Sequence, residues 1–374
     1  ANFLNPYNFD AIAYGPIPYT VGGERYVTGR AAYLKSKDLK WETAKTTDIG
    51  IELGFFNNDL TLSLDYFVKK NVDLLAQIDL NLSSGQIFEI NSSREKPYVN
   101  TASVKNTGWE FMMNYRKQLT KDFHIDATFN IATLKNKVLS LGENVQPITS
   151  GAMSSYFNDA PSITMPGEAI GSFYGYKIDG FDAEGNFIFA DMDKNGVVNA
   201  NDKVILGSPI PDFTYGLNIN MEYKDFDLTL FFQGVQGNDI FNQKKYTYYF
   251  DYSNKVVKEA MNGWTKTNRN TGIPIMKTQN TSGGNSLPSE FYIEDGSYLR
   301  LKNLQLGYSL PKKWLEAIRF NKLRVYAGVQ NLFTLTKYSG YDPEVSSNVL
   351  FSRGIDISSY PNARTFTFGF NASF

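Results

Sequence analysis

Apolar and polar residues alternate along several stretches of the chain, most clearly in residues 211–233. From Phe213 to Tyr223 every second residue is apolar, and the residues between them are Thr, Gly, Asn or Glu. This period of two is that of a β-strand with one apolar and one polar face. Lys224 and Asp225 follow as a tight turn, and the alternation resumes at Phe226. The pattern predicts a long antiparallel strand pair.

The length of these strands favours a lipid environment. About 11 residues at about 3.3 Å each, tilted by about 45°, rise about 25 Å, the height of the apolar band of an outer-membrane β-barrel. In a soluble sandwich, shorter strands recur about every 8 to 12 residues. A soluble β-sandwich hydrolase is therefore only a third alternative, which recovery from the cell envelope without detergent would support.

The same pattern recurs on both sides of this strand pair. The further predicted strands are 49–55, 60–68, 109–115, 123–131, 298–310, 323–335 and 364–374. Short turns alternate with long connections, as in outer-membrane barrels, whose short turns are periplasmic and whose long loops are external. The predicted fold is all-β, a transmembrane antiparallel β-barrel portion with long extracellular loops.

Other stretches lack this alternation. Residues 1–45 are rich in Gly, Pro, Tyr and Asn, and they predict an ordered external loop. Between residues 71 and 103 the regular alternation lapses. Residues 311–320 have no period of two and predict a short helix.

The direction of the strands constrains residues 136–211. We count backward from the last strand, which we expect to run toward the periplasm, and place every short turn on the periplasmic side. The strand at Phe123 then runs outward and the strand at Phe213 runs toward the periplasm. An even number of membrane strands, most simply none, therefore lies between them. Residues 136–211 are then an extracellular elaboration. Its strand-like segment 172–178 is predicted to stay there or to pair with residues 186–190.

The same count gives about nine membrane strands, an odd number where single-chain bacterial barrels have an even one. An open sheet edge in lipid leaves main-chain groups without hydrogen bonds, which costs several kcal/mol for each group. We therefore expect the remaining barrel strands to come from an upstream part of the same protein.

The last strand carries aromatic residues at alternate positions and ends the chain. This pattern resembles the signal that the outer-membrane assembly machinery reads. The residues predicted to face lipid and to form this signal are Phe366, Phe368, Phe370 and Phe374.

Composition agrees with a barrel and excludes other classes. Aromatic residues make up 15% of the chain, with 28 Phe and 24 Tyr, which suits aromatic girdles at two membrane interfaces. A net charge of -1 without a basic run makes nucleic acid an unlikely partner. No run of about 18 apolar residues exists and the mean hydropathy is -0.33, so a helical membrane protein is excluded.

Catalysis has little support in the sequence. The chain has no Cys and a single His, His124, so thiolate chemistry, a Ser/His/Asp triad and His-ligated zinc are all unsupported. Carboxylates in the strands stand at inward positions, where a water-filled lumen requires polar groups anyway. We expect no enzymatic activity.

Residues 191–202 have the spacing of a calcium-binding loop. Oxygen-bearing residues stand at positions 1, 3, 5, 9 and 12, Gly stands at position 6, and position 7 offers a main-chain carbonyl. The predicted ligands are Asp191, Asp193, Asn195, Val197, Asn199 and Asp202. Asp at the last position, in place of Glu, is closer to the dockerin type and reaches less far. We expect structural calcium here, and the alternative is a metal-free Asn- and Gly-rich turn.

A second candidate site is aromatic. Aromatic faces with hydrogen-bonding groups nearby suit sugar rings or extended peptides, and they equally suit docking of another protein. The residues of this candidate are Tyr246, Tyr248, Tyr249, Tyr252 and Trp264. The sequence does not decide between ligand and protein partner.

Several stretches in order along the chain resemble one family. They are 39–42 (LKWE), 104–110 (VKNTGWE), 172–176 (SFYGY), the acidic loop running into 207–213 (GSPIPDF), 294–304 (EDGSYLRLKNL), 330–333 (QNLF), 340–344 (GYDPE) and the terminal Phe. With these residues the chain resembles the C-terminal part of SusC/RagA-family TonB-dependent outer-membrane transporters, a group typical of Bacteroidetes. The resemblance covers residues 39–374.

The resemblance implies a barrel of about 22 strands, an N-terminal plug, a TonB-contacting segment and a SusD-like surface lipoprotein over the loops. Residues 1–374 would be the C-terminal part, with the plug and the remaining barrel strands upstream. The implied function is import of oligosaccharides or oligopeptides through the outer membrane, whose lipid surrounds the wall. The residues do not choose between glycan and peptide. The alternative is a structural or adhesive outer-membrane barrel without transport, which an upstream sequence without a plug would support.

Overall fold

The structure is a computed structural model that describes residues 13–22, 24–31, 40–77, 98–142, 145–151, 159–250, 257–276, 284–318, 320–345 and 349–373. Its strands, numbered along the chain, are β1 (Ala13–Val21), β2 (Glu24–Ala31), β3 (Thr43–Phe55), β4 (Leu60–Gln77), β5 (Tyr98–Thr120), β6 (Phe123–Thr133), β7 (Lys135–Ser140), β8 (Ile148–Ser150), β9 (Ser162–Thr164), β10 (Ser172–Gly175), β11 (Ile178–Phe181), β12 (Phe187–Phe189), β13 (Val204–Gly207), β14 (Phe213–Tyr223), β15 (Phe226–Gln236), β16 (Asp239–Asn242), β17 (Ile293–Asp295), β18 (Tyr298–Ser309), β19 (Lys322–Thr336), β20 (Ile355–Asp356) and β21 (Thr365–Ser373). The α-helices of the described residues are α1 (Lys244–Tyr249) and α2 (Lys312–Ile318).

Nine of the described strands lie side by side in one antiparallel sheet, which we call the wall. Their order across the wall is β3-β4-β5-β6-β14-β15-β18-β19-β21, and β7 adds a further strand that pairs only with β5. The count of nine confirms the prediction from the sequence. Neither α1 nor α2 is long and apolar enough to cross a membrane.

The pairing of β6 with β14 confirms the argument from strand direction. The two strands pair from Phe213 opposite Thr133 to Tyr223 opposite Phe123, so no strand lies between them in the wall. The predicted elaboration begins slightly later than expected, because the chain first forms β7 on the edge of β5.

The strand register gives the wall one apolar and one polar face. Leu217 lies opposite Phe232, whereas Asn220 lies opposite Thr229 and accepts a hydrogen bond from its hydroxyl at 3.0 Å. A slip of one residue would exchange the two faces, so the sequence pattern fixes the register. Phe231 is an exception, since it stands on the polar face opposite Asn218.

The apolar face of the wall is not packed on a core within the described residues. Phe213, Leu217 and Leu228 are only half-buried, and Phe368 is 80% exposed. In water this contiguous apolar surface would be a large liability. The arrangement therefore suits a sheet whose apolar face meets hydrocarbon.

The larger buried hydrophobic cluster lies in what we call the loop layer, the described parts of residues 141–211, 237–297 and 337–364. A smaller cluster lies at β5 and β7 and consists of Ala102, Val104, Val138 and Leu141. The main buried cluster consists of Phe173, Phe187, Phe241, Tyr246, Phe250, Tyr292 and Ile355. Three small sheets surround it, in the orders β13-β10-β9-β8, β11-β12 and β17-β16-β20.

The strand-like segment 172–178 does lie in the loop layer, but only its end pairs as the sequence suggests. β10 pairs with β9 and β13, two strands that the alternation of the sequence does not predict. Ile178 lies opposite Phe189, and the strands that follow form the small hairpin β11-β12. Strands of three or four residues are too short to show a period.

The ordered loop predicted for residues 1–45 contains strands that the sequence pattern did not indicate. β1 and β2 form an antiparallel hairpin around Gly22, and β3 begins at Thr43. Pro16 and Pro18 hid this hairpin, because proline normally argues against a strand. It is tolerated on edge strands, and a sheet of two strands consists only of edges.

The lapse in alternation after residue 71 is not the end of a strand. β4 continues to Gln77 and β5 begins at Tyr98, and the two remain paired. The register shifts between Asn71 and Leu74 and again between Leu74 and Leu75, and Asp73 has a φ of 58°. These bulges interrupt the period of two while the pairing of the strands continues.

The short turns at the opposite end of the wall form what we call the turn end. Tight turns at residues 56–59, 121–122 and 224–225 connect three of the hairpins. The connection between β18 and β19 contains α2, as predicted for residues 311–320.

Candidate functional site

The acidic loop of residues 191–202 brings three carboxylates together. Oxygen atoms of Asp191, Asp193 and Asp202 all lie within 4.8 Å of one another. Such a cluster of hard oxygen donors is what Ca²⁺ takes as ligands. Three of the six predicted ligands thus converge on one point.

The main chain of the loop folds around these carboxylates. The N–H of Gly196 donates to Asp191 Oδ2 at 2.7 Å, and the N–H of Asn195 donates to Asp193 Oδ1 at 3.0 Å. Lys194 and Gly196 have φ values of 60° and 86°, which let the chain reverse. The glycine at position 6 therefore follows from a conformation that side chains disfavour.

Asp202 closes the loop from a buried position. It is 0% exposed, and its carboxylate accepts the N–H of Asn199 at 2.7 Å and the N–H of Met192 at 2.8 Å. The N–H of Asn199, with those of Asp193 and Met192, lowers the pKa of Asp202 against the opposing effect of burial. The group is held as a carboxylate.

The remaining predicted ligands are engaged within the loop. Asn195 Oδ1 accepts the N–H of Val197 at 2.8 Å, and Asn199 Nδ2 donates to the carbonyl of Val197 at 3.0 Å. These contacts hold both amide side chains against the main chain of the loop itself. Their role as metal ligands stays a prediction.

The acidic loop is connected to the rest of the loop layer through Lys203, the residue that follows it. Lys203 pairs with Asp159, and its ammonium lies 5.9 Å from the ring centre of Tyr174 and 5.5 Å from that of Tyr176. β13 begins directly after it, at Val204, and pairs with β10. A conformational change at Asp202 would therefore reach the small sheet β13-β10-β9-β8.

The aromatic candidate site is mostly part of the core. Tyr246 and Trp264 are only 9% and 6% exposed, and the Trp264 ring occupies the space beside Gly185. Tyr249 is half-buried against Phe291, with ring centres 5.7 Å apart. Tyr246 and Trp264 therefore pack inside the protein and do not offer a free aromatic face. Binding of a ligand in this region stays a prediction.

Tyr248 forms a hydrogen bond with another tyrosine, Tyr341. It is half-buried, and burial together with a hydrogen bond to Tyr341 raises the pKa of Tyr248 to about 12. Tyr341 is itself 70% exposed. Tyr252 lies outside the described residues.

A buried polar network near Tyr248 was missed by the sequence analysis. Lys244 and Asp356 form an ion pair of 2.7 Å, and the hydroxyl of Tyr338 donates to Asp356 at 2.6 Å. The ring of Tyr341 lies 4.6 Å from the Lys244 ammonium. No local pattern signals these contacts, because the partners are far apart in the sequence.

A second network fixes the start of residues 337–364 to the wall. Arg300 binds Asp342 at 2.5 Å and Glu344 at 2.8 Å, and its side chain is 2% exposed. Lys302 also binds Glu344, at 2.8 Å. Asn362 adds hydrogen bonds to both carboxylates. The stretch 340–344, noted in the sequence for its resemblance, is thus a structural clamp.

The aromatic residues of the last strand are exposed on the apolar face. Phe366, Phe368 and Phe370 are 60%, 80% and 70% exposed, and Phe374 lies outside the described residues. Phe368 lies opposite Ala327 of β19. This placement agrees with side chains that meet lipid, and the role as an assembly signal stays a prediction.

Comparison with known proteins decides the family. The model of the TonB dependent receptor-like β-barrel matches residues 3–332. This chain belongs to the TonB-dependent receptor family. Its wall is an arc of an outer-membrane β-barrel, and the apolar face of the wall is the face toward lipid.

Curated relatives of the receptor include two that match almost all of this chain. It is 36% identical over 399 residues to the TonB-dependent receptor P3 of Formosa agariphila, covering 99% of this chain and 38% of the relative. It is 32% identical over 390 residues to the TonB-dependent receptor SusC of Bacteroides thetaiotaomicron, covering 98% of this chain and 36% of the relative. The chain spans less than two fifths of the length of these relatives.

A solved structure with the same fold is the RagAB peptide importer in its open-open state. The TM-score is 0.77 at 24% identity, and the match covers 99% of the receptor chain and 38% of that chain. At this identity the likeness shows the fold alone. These matches agree with the prediction that the chain is the C-terminal part of a barrel.

Proposed function

We propose that the receptor imports oligosaccharides or oligopeptides through the outer membrane together with a SusD-like surface lipoprotein. The observation that carries the proposal is the loop layer, which has its own buried core above the wall. A folded layer offers a large, preformed surface at the mouth of a barrel, and ligand sites are usually preformed. Family membership and the 32% identity to a receptor named SusC support the proposal.

The energy for import would come from TonB, acting through a plug upstream of this sequence. We propose that the receptor releases its cargo unchanged. The choice between glycan and peptide is left to experiment. The likeness to a peptide importer concerns the fold, and the name SusC does not state a substrate.

Uptake by cells tests this proposal. Cells with the full-length gene should accumulate a labelled oligosaccharide or a labelled oligopeptide that is too large for porins, and cells without the gene or without TonB should not. A monosaccharide and a single amino acid serve as controls and should enter all strains equally. Equal uptake of every large probe by all strains would favour a structural or adhesive barrel.

We further propose that residues 191–202 bind calcium and that the ion stabilises the loop layer. Three carboxylates within 4.8 Å of one another repel each other unless a cation or hydrogen bonds balance them. A Ca²⁺ ion would bind to these oxygens and hold the segment that leads into Lys203 and β13. We propose a structural role for the ion, because the loop leads directly into β13, which pairs with β10.

The double substitution Asp191→Ala with Asp193→Ala tests the calcium site. The unchanged full-length receptor should resist protease within the loop layer in calcium and lose this resistance in chelator, whereas the double variant should be cleaved equally in both. Asp179→Ala is the matched control, since it removes an exposed carboxylate of the same layer outside the loop. Identical digestion of the unchanged receptor with and without chelator would rule out the ion.

A further inference from the structure

One of the four turns at the turn end of the wall contains a helix. α2 connects β18 to β19, while the other three hairpins at this end close with tight turns. Tight turns are sufficient to connect neighbouring antiparallel strands. The longer connection with α2 is therefore not required by the topology of the wall.

α2 exposes an unusual group of side chains. Lys312 and Lys313 are exposed, and Trp314 is 59% exposed, while the next residue, Leu315, is only 4% exposed. Leu315 is thus buried, whereas more than half of the Trp314 side chain stays uncovered. A Trp ring has an apolar body and a polar N–H, so the boundary between lipid and water is a favourable place for it.

Aromatic pairs on the apolar face show where this boundary lies. The rings of Phe226 and Tyr308 are 4.6 Å apart, and those of Phe123 and Tyr223 are 6.2 Å apart. All four residues lie beside the turns of the turn end. α2 begins four residues after Tyr308, so it lies at the level of this aromatic girdle.

The connection that contains α2 is also basic. Residues 310–321 contain three Lys or Arg and one Glu, a net charge of +2, although the whole chain has a net charge of -1. Two of these charges stand directly beside Trp314. Lysine side chains near a membrane extend along apolar surface and place their ammonium groups among phosphate groups.

We propose that α2 anchors the receptor to anionic phospholipid of the periplasmic leaflet. Trp314 lies among the headgroups, and Lys312 and Lys313 bind their phosphate groups. The anchor holds this end of the barrel at a fixed depth beside β18 and β19. The proposal depends on the position of the wall in the membrane and not on the import of any cargo.

The depth of position 314 tests the first half of the proposal. In the full-length receptor, freed of any other cysteine and placed in lipid nanodiscs, Trp314→Cys is labelled with a small fluorophore. A headgroup nitroxide on the lipid should quench this label more than aqueous iodide does. Leu306→Cys, on the apolar face, should be shielded from iodide, and Tyr360→Cys, 92% exposed in the loop layer, should be quenched mainly by iodide.

A label at position 314 that responds to iodide as freely as the label at position 360 would overturn the proposal. That result would mean that Trp314 points to the aqueous periplasm or to the lumen. The same labels work in a receptor without transport activity, so the outcome is independent of the import assay.

Lipid retention tests the second half. Native mass spectrometry of the full-length receptor, exchanged into phosphatidylglycerol and phosphatidylcholine mixtures, should show retained phosphatidylglycerol that is lost in the variant Lys312→Glu with Lys313→Glu. Lys266→Glu, an exposed charge in the loop layer, is the control and should keep it. Displacement of the lipid by millimolar inorganic phosphate alone, or equal retention in all variants, would contradict a phospholipid site at α2.

Discussion

Lys244 of α1 and Asp356 of β20 form an ion pair of 2.7 Å inside the loop layer, with only 2% and 0% of their side chains exposed. The pair joins residues 237–297 to residues 337–364, two connections of the wall that are separate in the sequence. A buried ion pair adds little net stability by itself, but the loss of one partner leaves a buried charge without compensation. The pair therefore makes the packing of the two connections interdependent.

Removing one charge of this pair should destabilise the loop layer. Lys244→Met leaves the Asp356 carboxylate buried without its cation, and we expect a loss of about 3–5 kcal/mol in the stability of the layer. Hydrogen exchange of the full-length receptor in detergent would detect the opening as faster exchange in β16 and β20. Lys117→Met breaks an exposed pair with Asp59 and should change the exchange far less, because solvent screens exposed ion pairs. Equal effects of the two substitutions would contradict the structural role of the buried pair.

The same pair predicts a response to acid. Burial alone would raise the pKa of Asp356, but the ion pair with Lys244 and hydrogen bonds from Tyr338 and the main chain outweigh it, so the pKa lies below its ordinary value of 3.8. The carboxylate therefore stabilises the folded layer above pH 3.8, and this contribution is lost as the pH falls through the lower folded-state pKa.

Protease resistance of the loop layer, measured from pH 7 downward, checks this response. We expect the unchanged receptor to lose part of its resistance below pH 3.8. Asp356→Asn should lower the resistance at pH 7 and remove this part of the acid response. If the variant showed the same resistance and the same acid response, Asp356 would not be the group responsible.

The two faces of the wall predict opposite tolerance to charge. Leu228 lies opposite Met221 and Leu306 on the face toward lipid, whereas its neighbour Thr229 lies on the polar face. Leu228→Arg should cost about 2–4 kcal/mol, and Thr229→Arg should be mild. Unfolding of the full-length receptor by urea in lipid vesicles measures both. Similar costs would show that the assignment of the faces is wrong.

The contact between Gly185 and Trp264 predicts that alanine destabilises the loop layer more at Gly185 than at Gly167. Gly185 has a φ of 83°, and a Cβ there would meet the Trp264 ring at 2.3 Å, whereas Gly167 has a φ of 96° and no atom within 4 Å of that position. Alanine should cost about 1 kcal/mol at Gly167 through the backbone. At Gly185 overpacking should add about 1–3 kcal/mol. Proteolysis of the loop layer compares the stability of the two variants. Equal rates of cleavage would argue against the packing of Trp264 on Gly185.

The long strands could be predicted from the sequence because their signal is local. The strand that begins at Phe213 and the turn at Lys224 follow directly from the alternation and from the two polar residues that interrupt it. The convergence of Asp191, Asp193 and Asp202 is likewise local, since one short loop carries all three. The extension of β4 past Asn71 was missed because bulges there break the period while the pairing continues.

The burial of the aromatic residues could not be predicted from the sequence. Tyr246 and Trp264 have the composition of a ligand surface, and the structure buries them. Whether an aromatic side chain packs inward or stays exposed depends on which other segments cover it, and these segments lie elsewhere in the chain. The same holds for Lys244, whose partner belongs to a different connection.

The sequence by itself determined that this protein forms a membrane wall, because an alternating pattern assigns each strand residue to lipid or to the polar side whatever its neighbours are. Tertiary structure alone decided which strands are adjacent, how the loop layer closes over its core and which charges meet inside it. The physical reason is the distance along the chain between the residues that interact. Alternation is a property of consecutive residues, whereas burial and ion pairing depend on segments that only the folded chain brings together.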